Sequence, residues 1–166
     1  MFERINTQQD LLNHQLSAAI TMERTSLEML ENTIQEARDS DIQSVLRNHQ
    51  DETHRQIDNL EAVFSAFGWQ SDEASSPAIQ GIDKESKANI KKADSSIVDS
   101  VILSGAAQTE HHEIAVYENL ITQAKALGRQ DAAQLLQENL EQEQRMLEEV
   151  KSATQRMASA AARQTA

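Results

Sequence analysis

Three glutamates stand where a helical pattern calls for apolar side chains. Positions seven before, three before, four after and seven after a helical residue share its face. For Glu23 these are Leu16, Ile20, Leu27 and Leu30; for Glu143 they are Leu136, Leu140, Leu147 and Val150. For Glu110 they are Leu103, Ala107, Ile114 and Tyr117. Most other acids fail this comparison: Glu61 faces His54, Asp58, Ser65 and Gly68. Glu113 comes close, with Ala106, Glu110, Tyr117 and Leu120, and Glu52 has a polar set (Val45, His49, Gln56, Asn59) inside a longer apolar stripe. Several ionised carboxylates in one interior repel each other and lose their hydration, which costs several kcal/mol per ion even after relaxation. No Lys or Arg lies within one turn on the same stripe as Glu23, Glu110 or Glu143. Two remedies remain: a shared proton in a metal-free polar layer, or a divalent cation. Iron or manganese suits such carboxylate oxygens, with the imidazole of His49, one turn before Glu52, as a nitrogen donor.

Four long amphipathic stretches must carry these groups. The first runs from about Thr7 to Ala37, with Leu12, Leu16, Ile20, Leu27, Leu30 and Ile34 on one stripe. Ser40 and Gln43 read as a capping box opening the second, which carries Ile42 to Phe67 and stops at Gly68. The third is expected to start near Asp94 and run to Gly128; the fourth, capped by Asp131 with Gln134, runs toward Met157. The first and last joints are short and imply antiparallel hairpins. Between the hairpins lies a long crossover, Trp69 to about Ala93, with Pro77 and Gly81, on which Ala78–Lys92 can form a short helix. The tail from Ala158 to Ala166 is expected to fray.

Axial height brings the acids together. Glu23 lies fourteen residues before Ala37, and Glu113 fourteen before Leu127. Glu52 and Glu143 are each about eleven residues into their helices, so at about 1.5 Å per residue all four reach a similar level. Glu110 is one turn from Glu113; the stripe favours the former and the height the latter, so both stay candidates.

The chain has 166 residues, a net charge of −12, four Gly, one Pro, 3% aromatics and no Cys. The length suits one domain, 1–166, and the composition suits long helices rather than a sandwich or barrel. Missing cysteine excludes disulfides and thiolate chemistry, and the acidity argues against nucleic acid as a partner. No apolar run approaches the roughly 20 residues of a membrane span, and the first residues, MFERINTQQD, lack a secretory core. A cytoplasmic, all-α protein with no membrane partner is the expectation.

The segment AAQTEHHEIAVY (Ala106–Tyr117) resembles the third-helix signature of the YciE/YciF-like family of bacterial ferritin-like stress proteins. HQDETHRQ (His49–Gln56), MER (Met22–Arg24) and LLQENLEQE (Leu135–Glu143) add to the resemblance, which spans roughly residues 10–155. It implies a ferritin-like four-helix bundle, two antiparallel hairpins joined by a long crossover, that forms a homodimer. It also implies a di-metal site of Fe or Mn ions on Glu23, Glu52, Glu110, Glu113 and Glu143, with a role in stress protection and redox chemistry at the pair. One departure stands out: the Glu-x-x-His of ferritin-like proteins is absent, since Arg55 follows Glu52 and Met146 follows Glu143 at that spacing. The competing expectation is a metal-free helical scaffold acting through its surface or its oligomer. An iron-storing cage is a third, although such cages place their ligands between subunits.

Overall fold

The structure, a computed structural model, describes residues 4–164. Five helices make up its regular structure: α1 (Gln8–Glu36), α2 (Ser40–Phe67), α3 (Pro77–Lys92), α4 (Val98–Ala126) and α5 (Gln130–Gln164). No strand occurs among the described residues.

Local chemistry sets the helix ends. Thr7 and Asp10 form a reciprocal capping box on α1. On α2 the capping residue is Asp39, not Ser40: its carboxylate accepts from the backbone amides of Asp41 and Ile42, while Gln43 donates to the Ala37 carbonyl. Gly68 ends α2 at φ 71°, a conformation available to glycine without a Cβ clash. Helix α4 starts four residues later than the pattern suggested. The Asp94 carboxylate there accepts from both the amide and the hydroxyl of Ser96, holding a local turn that competes with helix. Asp131 lies inside the first turn of α5, paired with Arg129 at 2.7 Å, rather than capping it. The helix continues to Gln164, through the stretch from Ala158 on which fraying is expected; the last two residues of that tail, like Met1 to Glu3 of the N-terminal segment, lie outside the described residues.

The long helices pack in a ring in which α1 neighbours α2, α2 neighbours α5, α5 neighbours α4, and α4 returns to α1. Helix α3 is the fifth element, laid against α1 and α4. Its presence follows from direction. Asp99, at the start of α4, accepts from the backbone amides of Arg38 and Asp39 in the α1–α2 turn at 2.8 and 3.1 Å. At the opposite end, Arg129 of the α4–α5 turn stacks over Phe67 at the end of α2. Helices α2 and α4 therefore run the same way, and the chain must travel back before α4 begins. The return starts with Ala74, whose amide donates to the Ser17 carbonyl, and continues through α3 with Pro77 in its first turn.

Two apolar clusters fill the interior. One gathers Leu12, Leu16, Leu60, Phe64, Leu120 and Leu136 near the α4–α5 turn. The other gathers Leu30, Ile42, Leu46, Ile102, Met146 and Val150 near the α1–α2 turn. Between them in sequence on every long helix lies a band of buried polar residues.

Candidate metal centre

The band is built at mid-helix. Helix α1 contributes Glu23 and Ser26; α2 contributes His49, Thr53 and Gln56. Helix α4 adds Thr109, Glu110 and Glu113, and α5 adds Asn139 and Glu143. All are buried because each sits on the stripe that also carries its helix's apolar residues. On α2 the buried positions from Ile42 through Leu46, His49, Thr53, Gln56 and Leu60 to Val63 alternate steps of four and three, and Phe64 is buried beside the last.

Four of these residues form a compact group. His49, Glu110, Glu113 and Glu143 each offer one ligand atom, and these atoms lie within 4.8 Å of one another. His49 Nε2 is 3.5 Å from Glu110 Oε1 and 3.6 Å from Glu143 Oε2. Both glutamates of α4 take part, so neither the stripe nor the height alone was the deciding signal.

Glu23 is buried but lies outside that group of four, and the Tyr117 hydroxyl donates to its Oε1. Glu52 departs from its expected place. Its side chain is 24% exposed and lies at the rim, 3.4 Å from Arg145 Nη2 and 3.6 Å from His49 Nδ1. It sits one residue off the buried stripe of α2, and arginine holds it there; the inward positions of that helix belong to His49 and Gln56. Of the other histidines, His14, His54 and His111 are exposed, and His112 is half-buried with its imidazole pKa lowered by burial. Trp69 stacks on Phe67 with ring centroids 4.4 Å apart and covers an end of the fold.

Neutral donors hold the buried carboxylates. Ser26 Oγ donates to Glu113 Oε1, Gln56 Nε2 to Glu143 Oε1, and Tyr117 to Glu23. Asn139 ties the donors together: its Nδ2 donates to the Tyr117 hydroxyl and to the Gln56 carbonyl, each at 3.1 Å, and its Oδ1 accepts from Asn59 at 2.8 Å. Ser26 and Asn139 were not singled out in the sequence. Their signal was available, because each is a small polar residue on an otherwise apolar stripe, three residues after Glu23 and four before Glu143.

The opposite oxygens, Oε2 of Glu23, Glu110, Glu113 and Glu143, are buried without a hydrogen-bond partner, as is Nδ1 of His49. Bare buried acceptors are costly, at roughly 1–3 kcal/mol each or more when charged. The electrostatics register the crowding. Burial, then the charge on Glu110, pushes the Glu113 carboxyl up to about 7. Burial and the charge on Glu113 raise Glu23 and Glu143 well above the usual carboxylate range. For His49, burial pulls the imidazole down, but the Glu110 carboxylate and its neighbours outweigh it and carry the pKa up to about 9. Tyr117 is raised by burial and by Glu23, so its phenol stays protonated as a donor.

Carboxylate oxygens with one imidazole, unpaired and aimed at a shared interior point, are a donor set that fits a hard or borderline divalent cation. The arginines Arg145 and Arg55 pair with Glu52 at the rim.

Comparison with known proteins gives the lineage. Residues 7–163 match the family described as a domain of unknown function, DUF892. The chain belongs to that family. It is 29% identical over 141 residues to Protein YciF of Escherichia coli (strain K12), covering 84% of this chain and 85% of YciF. The DUF892 fold recurs in solved structures. YcfI from Rhodopseudomonas palustris matches with a TM-score of 0.88 and 32% identity, over 91% of this chain and 97% of that one. The E. coli stress protein YciF matches with a TM-score of 0.88 and 24% identity, over 93% and 99%. The expected kinship with YciF-like proteins is thus correct.

Proposed function

We propose that this DUF892 protein is a ferritin-like metal-binding protein of the bacterial stress response, whose interior centre takes iron or manganese. The observation that carries the reading is the set of buried Oε2 atoms on Glu110, Glu113 and Glu143, left without partners beside His49. His49, Glu110, Glu113 and Glu143 are the residues that would hold the first ion, and Glu23 is the further carboxylate within reach of a second, the pair being what the family resemblance implies. Bound iron or manganese supplies one-electron redox chemistry. The chain's own part is to exclude water with the two apolar clusters and to fix Glu113, Glu143 and Glu23 through Ser26, Gln56 and Tyr117. The closed ring of four long helices supports a ferritin-like bundle acting as one domain, with α3 as its crossover helix. No helix among the described residues is long and apolar enough to cross a membrane. A homodimer is expected from the family resemblance, and light scattering checks it.

Metal analysis of protein purified without chelator and loaded with Fe(II) or Mn(II) tests the reading. Wild type should carry metal, Glu143→Ala should lose most of it, and Glu52→Ala should keep it, because Glu52 stands at the arginine-lined rim. A wild type that stays metal-free after loading would overturn the proposal and leave a helical scaffold acting through its surface. Burial and mutual repulsion favour that second reading, since they raise the pKa of Glu23, Glu113 and Glu143 and so support a protonated layer without any ion.

A further inference from the structure

The carboxylates of the centre are not equally free, and the difference bears on how many ions it holds. A ferritin-like pair is built from four glutamates and two histidines. Metals in such pairs stand about 3.5–4 Å apart, with oxygens bridging them. A bridging carboxylate gives one oxygen to each ion. In this protein Glu113, Glu143 and Glu23 each have one oxygen engaged by a neutral donor, respectively Ser26, Gln56 and Tyr117. Among the described residues no such hydroxyl or amide donates to Glu110, whose Oε1 faces His49 Nε2 at 3.5 Å. The group also holds one imidazole.

Distances point the same way. Donors around a single ion at about 2.0–2.2 Å stand at most roughly 4.4 Å apart. The four ligand atoms here lie within 4.8 Å of one another, so a few tenths of an ångström closes them on one ion. Glu23 lies beyond that set, its carboxylate anchored by Tyr117, which is itself fixed by Asn139.

Accepting the metal-binding reading, we infer that the centre binds one divalent ion tightly, on His49, Glu110, Glu113 and Glu143. The second place is held shut by the hydrogen bonds from Tyr117 to Glu23 and from Gln56 to Glu143. Tyr117 and Gln56 are positioning residues here: they set the number of ions by occupying oxygens a second ion needs.

The test is titration of chelator-stripped protein with Mn(II), followed by calorimetry and by electron paramagnetic resonance. Wild type should bind one ion per chain and show the spectrum of an isolated Mn(II). Tyr117→Phe removes the donor and keeps the ring. Gln56→Glu replaces a donor with a further carboxylate. In each variant the second ion should bind roughly ten- to a hundredfold more tightly than in wild type, the worth of one hydrogen bond to a charged group. The spectrum should become that of two coupled ions, a change that loosened packing alone does not produce. Circular dichroism identifies variants that keep the helical fold, and Tyr117→Phe stands in if the extra charge of Gln56→Glu unfolds the protein. Two equivalent tight ions in wild type would overturn this inference while sustaining the metal reading. One ion in wild type and still one in both folded variants would also overturn it. No bound ion in wild type would refute the metal reading itself, and the inference with it.

Discussion

Stripped of metal, the protein should become less stable as pH rises from about 5 to 9. Glu113 is carried from 4.5, its usual value, to about 7 in the folded chain. A group with a raised folded pKa binds more protons folded than unfolded across that interval. Its contribution is complete below 4.5 and is lost as pH rises through 7. At 1.36 kcal/mol per pH unit the interval is worth about 3 kcal/mol. His49, carried from 6.5 to about 9, has the same sign and extends the fall to higher pH. The two interact with the same carboxylates, so their effects overlap, and the total should stay near 3 kcal/mol rather than double it. Glu23 and Glu143 are raised too and push in the same direction. Glu52 opposes them: the neighbouring His49 imidazole, then Arg145, lowers its pKa, so its contribution is present above 4.5 and lost in acid. Urea unfolding followed by circular dichroism, in chelator at several pH values, measures the slope. Glu113→Gln, which cannot ionise, should flatten the curve between pH 5 and 7. A stability that is constant or increases from pH 5 to 9 in the chelated wild type would refute the reasoning, for it would mean that these carboxyls are hydrated and not crowded.

Other perturbations test the scaffold. Asp99→Ala deprives the amides of Arg38 and Asp39 of their acceptor and should cost roughly 2 kcal/mol by thermal or urea unfolding. Phe64→Ala empties a fully buried position in the first cluster and should cost about 3–5 kcal/mol by the same measurement. Gly68→Ala meets no neighbour within 4 Å, so its loss, about 1 kcal/mol, should come from the left-handed backbone alone.

Long-range order in this fold was readable because it rests on periodicity. The stripes of α1, α4 and α5 run through Glu23, Glu110 and Glu143, and the structure buries all three. The hairpin joints at Ala37–Asp39 and Leu127–Arg129 follow from short polar segments and a glycine with positive φ at Gly128. What escaped the sequence turned on differences of one residue. Glu52 was drawn inward by its charge and height, yet a step of one along a helix is a turn of about 100°, which delivered it to arginine and left His49 and Gln56 inside. Its polar surroundings on the stripe were the warning. The start of α4 was misplaced because a side-chain turn at Asp94 outcompetes helix locally, which periodicity does not detect. Ser26 and Asn139 stayed hidden because small polar residues are tolerated on many helix faces, and their partners lie 87 and 83 residues away in the chain.

The stack of Trp69 on Phe67, capped by Arg129, has a practical corollary. This is the sole tryptophan of the sequence, thirteen residues beyond Gln56, or on the order of 20 Å at the helical rise. Its emission therefore watches the far rim where three chain segments meet, giving spectroscopists a lamp at one end of the molecule that paramagnetic ions in the middle would dim only faintly.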